Sequence, residues 1–358
     1  MTMKQVKYFL GANSPEGFYS LYDQLIDPTQ AKAIYILKGG PGCGKSTLMR
    51  MVGQQMENNG FAAEYILCSG DLDSLDAILI PGCATAIVDG TAPHVIEPLY
   101  PGVVESYLNL GECYDREKLS GVKERIISCT SECKASYQRA YRCLGAAAEI
   151  REDMREILKN EMLEKKLIKR AKGIAGREFK RKESPPGSIT QRFLSGITHR
   201  GILCNFDTVD ILCSRVYELA DSYGLAHLFL EPLLTNAVAA GYDVIACPSP
   251  LSPMYLEHLI IPELSLAFVT SCDTMHYEKR PYRRIRLDAM ADKELIHLLK
   301  PRIRFSKRVS GALIEEAVES LNEAKLLHDQ LEGLYHPFVD FNQVTQMANK
   351  LAETILNH

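Results

Sequence analysis

The sequence predicts an α/β protein built as two tandem α/β/α repeats, each with a helical extension, and three observations carry that prediction. Residues 33 to 56, AIYILKGGPGCGKSTLMRMVGQQM, read as an apolar strand, a glycine-rich turn and a helix, in that order. The carboxyl half of the chain can be laid over the amino half with identities that hold one register over a long span. Each half then runs into a stretch with apolar or small residues at three-four spacing.

Length and composition agree with this. The 358 residues exceed the roughly 100 to 200 of one domain, so two cores are expected. A hydrophobic fraction of 46% with 24% charged residues describes an ordinary globular chain, and a formal net charge of -4 exerts no global pull on nucleic acid or anionic lipid. Any polyanion binding is therefore local. The opening MTMKQVKYFLGANSPEG lacks a sustained apolar segment, and no window approaches the roughly 18 apolar residues of a membrane span, so a cytoplasmic protein with no membrane partner is expected. Eleven cysteines without a C-x-x-C pair imply reduced thiols; Cys129 and Cys133 share helical spacing but lack the histidine pair that would complete a metal site.

The first repeat is the more informative. Ala33 to Leu37 reads as a buried strand, and Leu48, Met49, Val52 and Met56 mark the apolar face of the helix that follows. Between them Gly39-x-x-x-x-Gly44-Lys45-Ser46 fits the P-loop pattern, which makes the expected repeats P-loop NTPase-like. Glycines let successive backbone N–H groups converge on a triphosphate at the helix's positive end, so Gly39, Gly40, Pro41, Gly42, Cys43, Gly44, Lys45, Ser46 and Thr47 form the expected nucleotide cradle. Lys45 neutralises the outer phosphates and Ser46 holds Mg2+. Cys43 reads either as a small residue that fits or as a thiol that bound nucleotide protects from a maleimide.

Such a loop needs a second carboxylate to orient the metal. Asp89, after the apolar run Ala84 to Val88, is the candidate, beside the plainer reading of a turn aspartate before Gly90. Because glycine rather than glutamate follows it, fast unaided hydrolysis is not expected. CSGDLDSLD places Asp71, Asp73 and Asp76 after a predicted strand at Glu64 to Leu67, which makes Asp71 and Asp73 alternative base or metal-water residues. His94 is a further catalytic candidate, with a surface or structural histidine as its alternative.

The second repeat keeps the frame and loses these charges. Phe9 pairs with Phe193, Gly17 with Gly201, Asp23 with Asp207, Tyr35 with Tyr217, Gly42 with Gly224, Gly60 with Gly241, Pro81 with Pro262 and Val88 with Val269. In the same register Lys45 falls on His227 and Asp89 on Thr270, leaving too little charge to hold a metal triphosphate. One nucleotide per chain is the expectation. The second repeat then supplies packing surface or a residue acting on the first site, with His199, Arg200 and Arg215 as candidates. Ala140, Leu144 and Ala147 match Ala317, Leu321 and Ala324, and both tails read as helical hairpins. EKKLIKRAKGIAGREFKRKESPPGS is rich in Lys and Arg, and suits a solvated helix face, a lid over the nucleotide or a phosphate-rich partner such as nucleic acid. With ESPPGS as linker, the expected domains are 1-183, with its helical hairpin at about 113-182, and 189-358.

With GANSPEGF, KGGPGCGKST, CSGDLDSLD and VDGTAPHVIEPLYPG in place, the chain resembles a bacterial family of tandem-repeat P-loop ATPase-like proteins, over almost its whole length and most specifically from Val88 to Gly102. That family's second repeat carries its own P-loop, whereas here the loop has decayed around Asp221 to Leu228. The resemblance implies ATP as the nucleotide, in keeping with the missing N-K-x-D pattern of guanine readers. Three activities follow as expectations: slow or partner-activated Mg-ATP hydrolysis, a small-molecule or nucleotide kinase with Asp71 or Asp73 as base, or a nucleotide-gated scaffold without turnover.

Overall fold

A computed structural model describes residues 5–93 and 95–357. The first half runs through β1 (Val6–Tyr8), β2 (Gly11–Ser14), β3 (Gly17–Ser20), β4 (Ala33–Lys38), α1 (Lys45–Asn58), β5 (Glu64–Leu67), β6 (Leu75–Ile80), β7 (Thr85–Asp89), β8 (Glu105–Asn109), the short α2 (Arg116–Ser120), α3 (Lys123–Leu158) and α4 (Glu161–Glu178). The second half follows with β9 (Ile189–Gln191), β10 (Ser195–Thr198), β11 (Gly201–Cys204), α5 (Phe206–Leu212), β12 (Arg215–Ala220), α6 (Ala226–Ala239), β13 (Val244–Ser249), β14 (Ser252–Ile261), β15 (Leu266–Ser271), β16 (Arg283–Arg286), α7 (Lys293–Tyr335) and α8 (Phe341–Leu356).

Two six-stranded mixed sheets share one topology. The first is ordered β1-β5-β6-β7-β4-β8, and the second, read from its other edge, β9-β13-β14-β15-β12-β16. In each, one strand, β6 or β14, runs antiparallel to both neighbours while the others pair in parallel. Backbone detail repeats as well. Gly17 and Gly201 have φ of 106° and 102°, Gly42 and Gly224 67° and 76°, and Gly60 and Gly241 87° and 91°. These are conformations that side chains resist, which is why glycine persists there while its neighbours diverged. The chain is a duplicated α/β/α fold. None of its described helices is long and apolar enough to cross a membrane.

Contacts divide the chain into two compact units. One takes the chain up to Ala12, Ser20–Ala140 and everything from Val318; the other takes Asn13–Tyr19 and Tyr141–Ala317. This partition does not follow the expected boundary between 183 and 189. In the first unit, α8 buries Val344, Ala348, Leu351, Ala352 and Ile355 against Leu48, Met49, Val52 and Met56 of α1. In the second, α4 buries Leu163, Leu167, Ala171, Ile174 and Ala175 with Phe229, Leu230, Leu233 and Ala237 of α6. Each repeat's tail thus supplies a covering helix to the other repeat's sheet, at roughly 1.5–3 kcal/mol for each large apolar side chain removed from water.

Of the four points at which the chain changes unit, two fall inside the strands β2 and β3 and two inside the helices α3 and α7. The run Ile314 to Leu334, expected as a hairpin, is instead the last part of the continuous 43-residue α7. That run holds Gly333 at its end but no cluster of turn residues, so nothing in it reverses the chain. In the first repeat's tail, the basic residues Lys166, Lys169, Arg170 and Arg177 of α4 line an open groove of about 880 Å3 with Lys293.

Candidate functional site

β4 lies between β7 and β8, parallel to both, so three carboxyl ends converge where the 38–44 loop leaves the sheet. That is where ligands of open α/β sheets bind. Ile34, Ile36 and Leu37 anchor the strand in the core, and Gly44, at φ 90°, is the residue from which α1 begins. The loop is closely packed from outside. A Cβ on Gly40 would stand 2.9 Å from the Tyr114 hydroxyl, one on Gly42 3.1 Å from the Glu332 carbonyl oxygen, and one on Gly44 3.1 Å from Val344. Glycine is required here for close approach as much as for its dihedral range.

Lys45 points back along the loop. Its ammonium donates to the Gly39 and Gly40 carbonyls at 2.9 Å each and lies 3.5 Å from the Asp89 carboxylate. Asp89 closes β7 directly opposite Leu37, and its other oxygen accepts from the Thr91 amide at 2.9 Å and hydroxyl at 2.6 Å. It therefore serves as a turn-capping aspartate and as the partner of Lys45 at once. Ser46 accepts the Leu75 amide at 3.0 Å, while Thr47 is exposed. Cys43 is buried at 1%, with its sulfur 2.6 Å from where a Gly39 Cβ would lie, so it acts as the small packing residue and not as an accessible thiol. Gly90 has a steric reason of its own, since a Cβ there would stand 2.4 Å from Ile36.

The remaining acids separate by environment. Burial works to raise the Asp71 pKa, but the Ser74 hydroxyl at 2.8 Å, the Asp73 amide at 3.1 Å and the Lys325 ammonium at 3.6 Å outweigh it and hold the carboxyl below its usual range. Asp73 is exposed, and its carbonyl accepts from Arg50. Asp76 is buried and accepts the Tyr22 hydroxyl at 2.8 Å, and burial together with that carboxylate pushes the Tyr22 phenol well up. His94 lies outside the described residues.

Several groups at this site are not apparent from the P-loop pattern. Lys38 ties down the segment after β7, donating to the Gly90 carbonyl at 2.8 Å and the Ile96 carbonyl at 3.1 Å. The last turns of α7 bring Glu332 and Tyr335 to the loop and Lys325 to Asp71. On the same turns His328, Asp329 and Glu332 hold ligand-type atoms within 4.8 Å of one another. The i, i+1, i+4 spacing of these three is visible in the sequence, but nothing links it to a loop nearly 300 residues away. Cys129 and Cys133 face α7, and their thiols donate to the Leu327 and Ala324 carbonyls at 3.0 and 3.5 Å.

The equivalent loop of the second unit is closed from within. Asp221, buried and aligned with Gly39, accepts the Tyr223 amide at 3.1 Å and the Ala226 amide at 2.7 Å, so a carboxylate of the chain itself occupies donors that an anion would need. His227 stacks on Tyr255 with ring centroids 4.1 Å apart. Burial, helped by the Arg155 charge, pushes its pKa down to about 4 and keeps it neutral near pH 7. Thr270 donates to the Glu257 carbonyl at 2.5 Å and its amide to His258. Arg215 is held by Glu178 at 2.6 Å, and the Arg200 amide donates to Thr198 within the β10–β11 turn.

A family model described as Nephrocystin 3, N-terminal, matches residues 20–171. The match covers less than half of the chain and takes in the 39–47 loop, Asp89 and α3. Comparison with curated proteins and with solved structures returned no match.

Proposed function

We propose that the first unit is a Mg-ATP-binding P-loop NTPase whose hydrolysis is slow or awaits a partner. The observation that carries this reading is the Lys45–Asp89 pair at 3.5 Å, set at the convergent ends of β4 and β7 beside a loop that only glycines can build. Gly39 to Thr47 form the cradle for the phosphates, Lys45 neutralises them, and Ser46 with Asp89 holds Mg2+. When bound, the metal supplies positive charge to the developing phosphate anion. The chain's own part is positional: Lys45 exchanges the Gly39 and Gly40 carbonyls for phosphate oxygens, and Thr91 keeps Asp89 turned toward the site.

Asp71 is the best placed of the remaining carboxylates to orient water or an acceptor hydroxyl, being ionised, buried and held by Ser74. Asp73, exposed, is the weaker candidate. A small-molecule or nucleotide kinase uses the same residues, whereas slow turnover agrees with Gly90 standing where a water-activating acid would follow Asp89. The packing of α7 and α8 on the loop favours coupling between nucleotide and helix position, which a non-enzymatic scaffold would share.

The test is calorimetric titration of Mg-ATP and Mg-GTP into the full chain, with phosphate release measured alone and with a panel of nucleosides and metabolites. Lys45→Ala is expected to abolish both binding and release. Release undiminished in Lys45→Ala, or saturation at two nucleotides per chain, refutes the assignment.

A further inference from the structure

The second unit retains a cavity of about 190 Å3 at the sheet end where the first unit carries its P-loop. Its walls come from the β12–α6 loop and the start of α6, the ends of β13 and β15, the first half of β14, and helices α3 and α7, all within that unit. Six charged residues line it and Glu152 flanks it, and most have partners. Arg155 is paired with Glu152, and Lys307 with Asp273 at 2.8 Å. Glu257 is held by Ser195, Ser249 and His258, and Asp221 by the loop amides.

Arg151 is the exception. Among the described residues its guanidinium has no hydrogen bond and no ion pair, and the nearest carboxylates, Glu257 and Asp273, act on it only at range. A half-buried guanidinium without a partner is poorly satisfied, and an anion with two coplanar oxygens would meet its fork. Beside it the Tyr255–His227 stack, Tyr223, Leu251 and Leu256 make the wall partly apolar.

The geometry points to a binding site for a small organic monocarboxylate in this cavity, with Arg151 as its carboxylate anchor and the aromatic wall against its body. Arg151 is the lining cation without a carboxylate partner, and the ionised Glu257 nearby limits its guest to a monoanion. A phosphate dianion brings a second negative charge beside the ionised Glu257 and is disfavoured. Size selects as well. At about 30 Å3 per water the volume admits about six waters, or an organic body of up to about ten non-hydrogen atoms, below the roughly 300 Å3 at which ligand pockets of drug size begin. A nucleoside triphosphate does not fit. The repeat that lost triphosphate chemistry is thus read as a sensor of a different and smaller anion.

Pyruvate, isovalerate, benzoate and inorganic phosphate, titrated separately into the full chain by calorimetry, test this. At least one of the three carboxylates is expected to bind with a Kd of about 1 mM or tighter, and phosphate more weakly than that carboxylate. Arg151→Met should abolish the binding. Arg151→Lys, which keeps the charge and loses the fork, should weaken it at least about 10-fold while leaving the circular dichroism melt in place. Lys45→Ala should leave it unchanged, which separates this site from the proposed nucleotide site. Failure of all three carboxylates to bind by about 10 mM, binding that survives Arg151→Met, or preference for phosphate overturns the inference.

Discussion

Replacing Ile355 by alanine tests whether α8 completes the core of the first unit. Ile355 is 4% exposed in α8 and belongs to the same core as Leu48, Val52 and Met56 of α1. Ile355→Ala removes three carbons from this contact and leaves a cavity that a helix tied at Asp340, whose carboxylate caps the Asn342 and Gln343 amides, can fill only in part. Such truncations cost about 2–5 kcal/mol. If opening of the α1–α8 contact governs exchange, amides of α1 should exchange between about 30-fold and several thousand-fold faster, while those of α6 in the other unit stay as they were. The assay is hydrogen–deuterium exchange on the intact chain, read on peptides from 45–58 and 226–239. Since α1 begins at Lys45 and Ser46, nucleotide affinity should fall in parallel. Unchanged exchange in α1, or equal acceleration in α6, refutes the idea that α8 serves the first unit's core.

Further outcomes follow from the same geometry. Asp89→Ala should reduce Mg-dependent nucleotide affinity and also loosen the 89–91 turn, both measurable by titration with and without Mg2+; an affinity that is insensitive to the change would remove Asp89 from the site. Gly90→Glu, which supplies the acid missing after Asp89, should lower the melting temperature and not raise turnover, because its Cβ meets Ile36 at 2.4 Å. Acid should destabilise the second unit through His227. Its folded pKa of about 4 lies below the ordinary 6.5, so stability is complete above pH 6.5 and is lost as pH falls from 6.5 toward 4, by up to about 3 kcal/mol. His227→Phe should flatten that part of the pH–stability curve. Cys43 should resist maleimide with or without nucleotide, as its 1% exposure requires, and rapid labelling of the native chain would contradict its burial.

Elements whose physics is local were legible in the sequence. The strand, turn and helix around Lys45 announced themselves because a continuous apolar run gives way to three-four spacing across a glycine cluster, and the structure puts β4 at Ala33–Lys38 and α1 at Lys45–Asn58. The duplication was legible through residues that the backbone constrains, such as Gly42 and Gly224. The antiparallel setting of β6 and β14 was not, since six consecutive buried residues in β6 read the same in either direction. Nor was the cover over the loop. Val344 and Glu332 reach Gly44 and Gly42 through tertiary contact alone, and no spacing rule connects residues so far apart. Asp221 shows a different limit: its loss of glycine was visible as decay, but its second use, holding the loop amides with its own carboxylate, appears only in three dimensions.

The exchange of covering helices between repeats bears on how the protein is made. Gln55 of α1 meets Asn349 of α8 across 294 residues, so although β6 can cover part of the α1 apolar face early in synthesis, the part under α8 waits until residues 341–356 have emerged. A nascent first repeat can pack Leu48, Met49, Val52 and Met56 on its own sheet, yet the side of α1 that α8 covers has no partner until α8 arrives. The proposed nucleotide cradle thereby depends on residues 341–356, and a copy truncated before α8 would leave part of the α1 apolar face exposed.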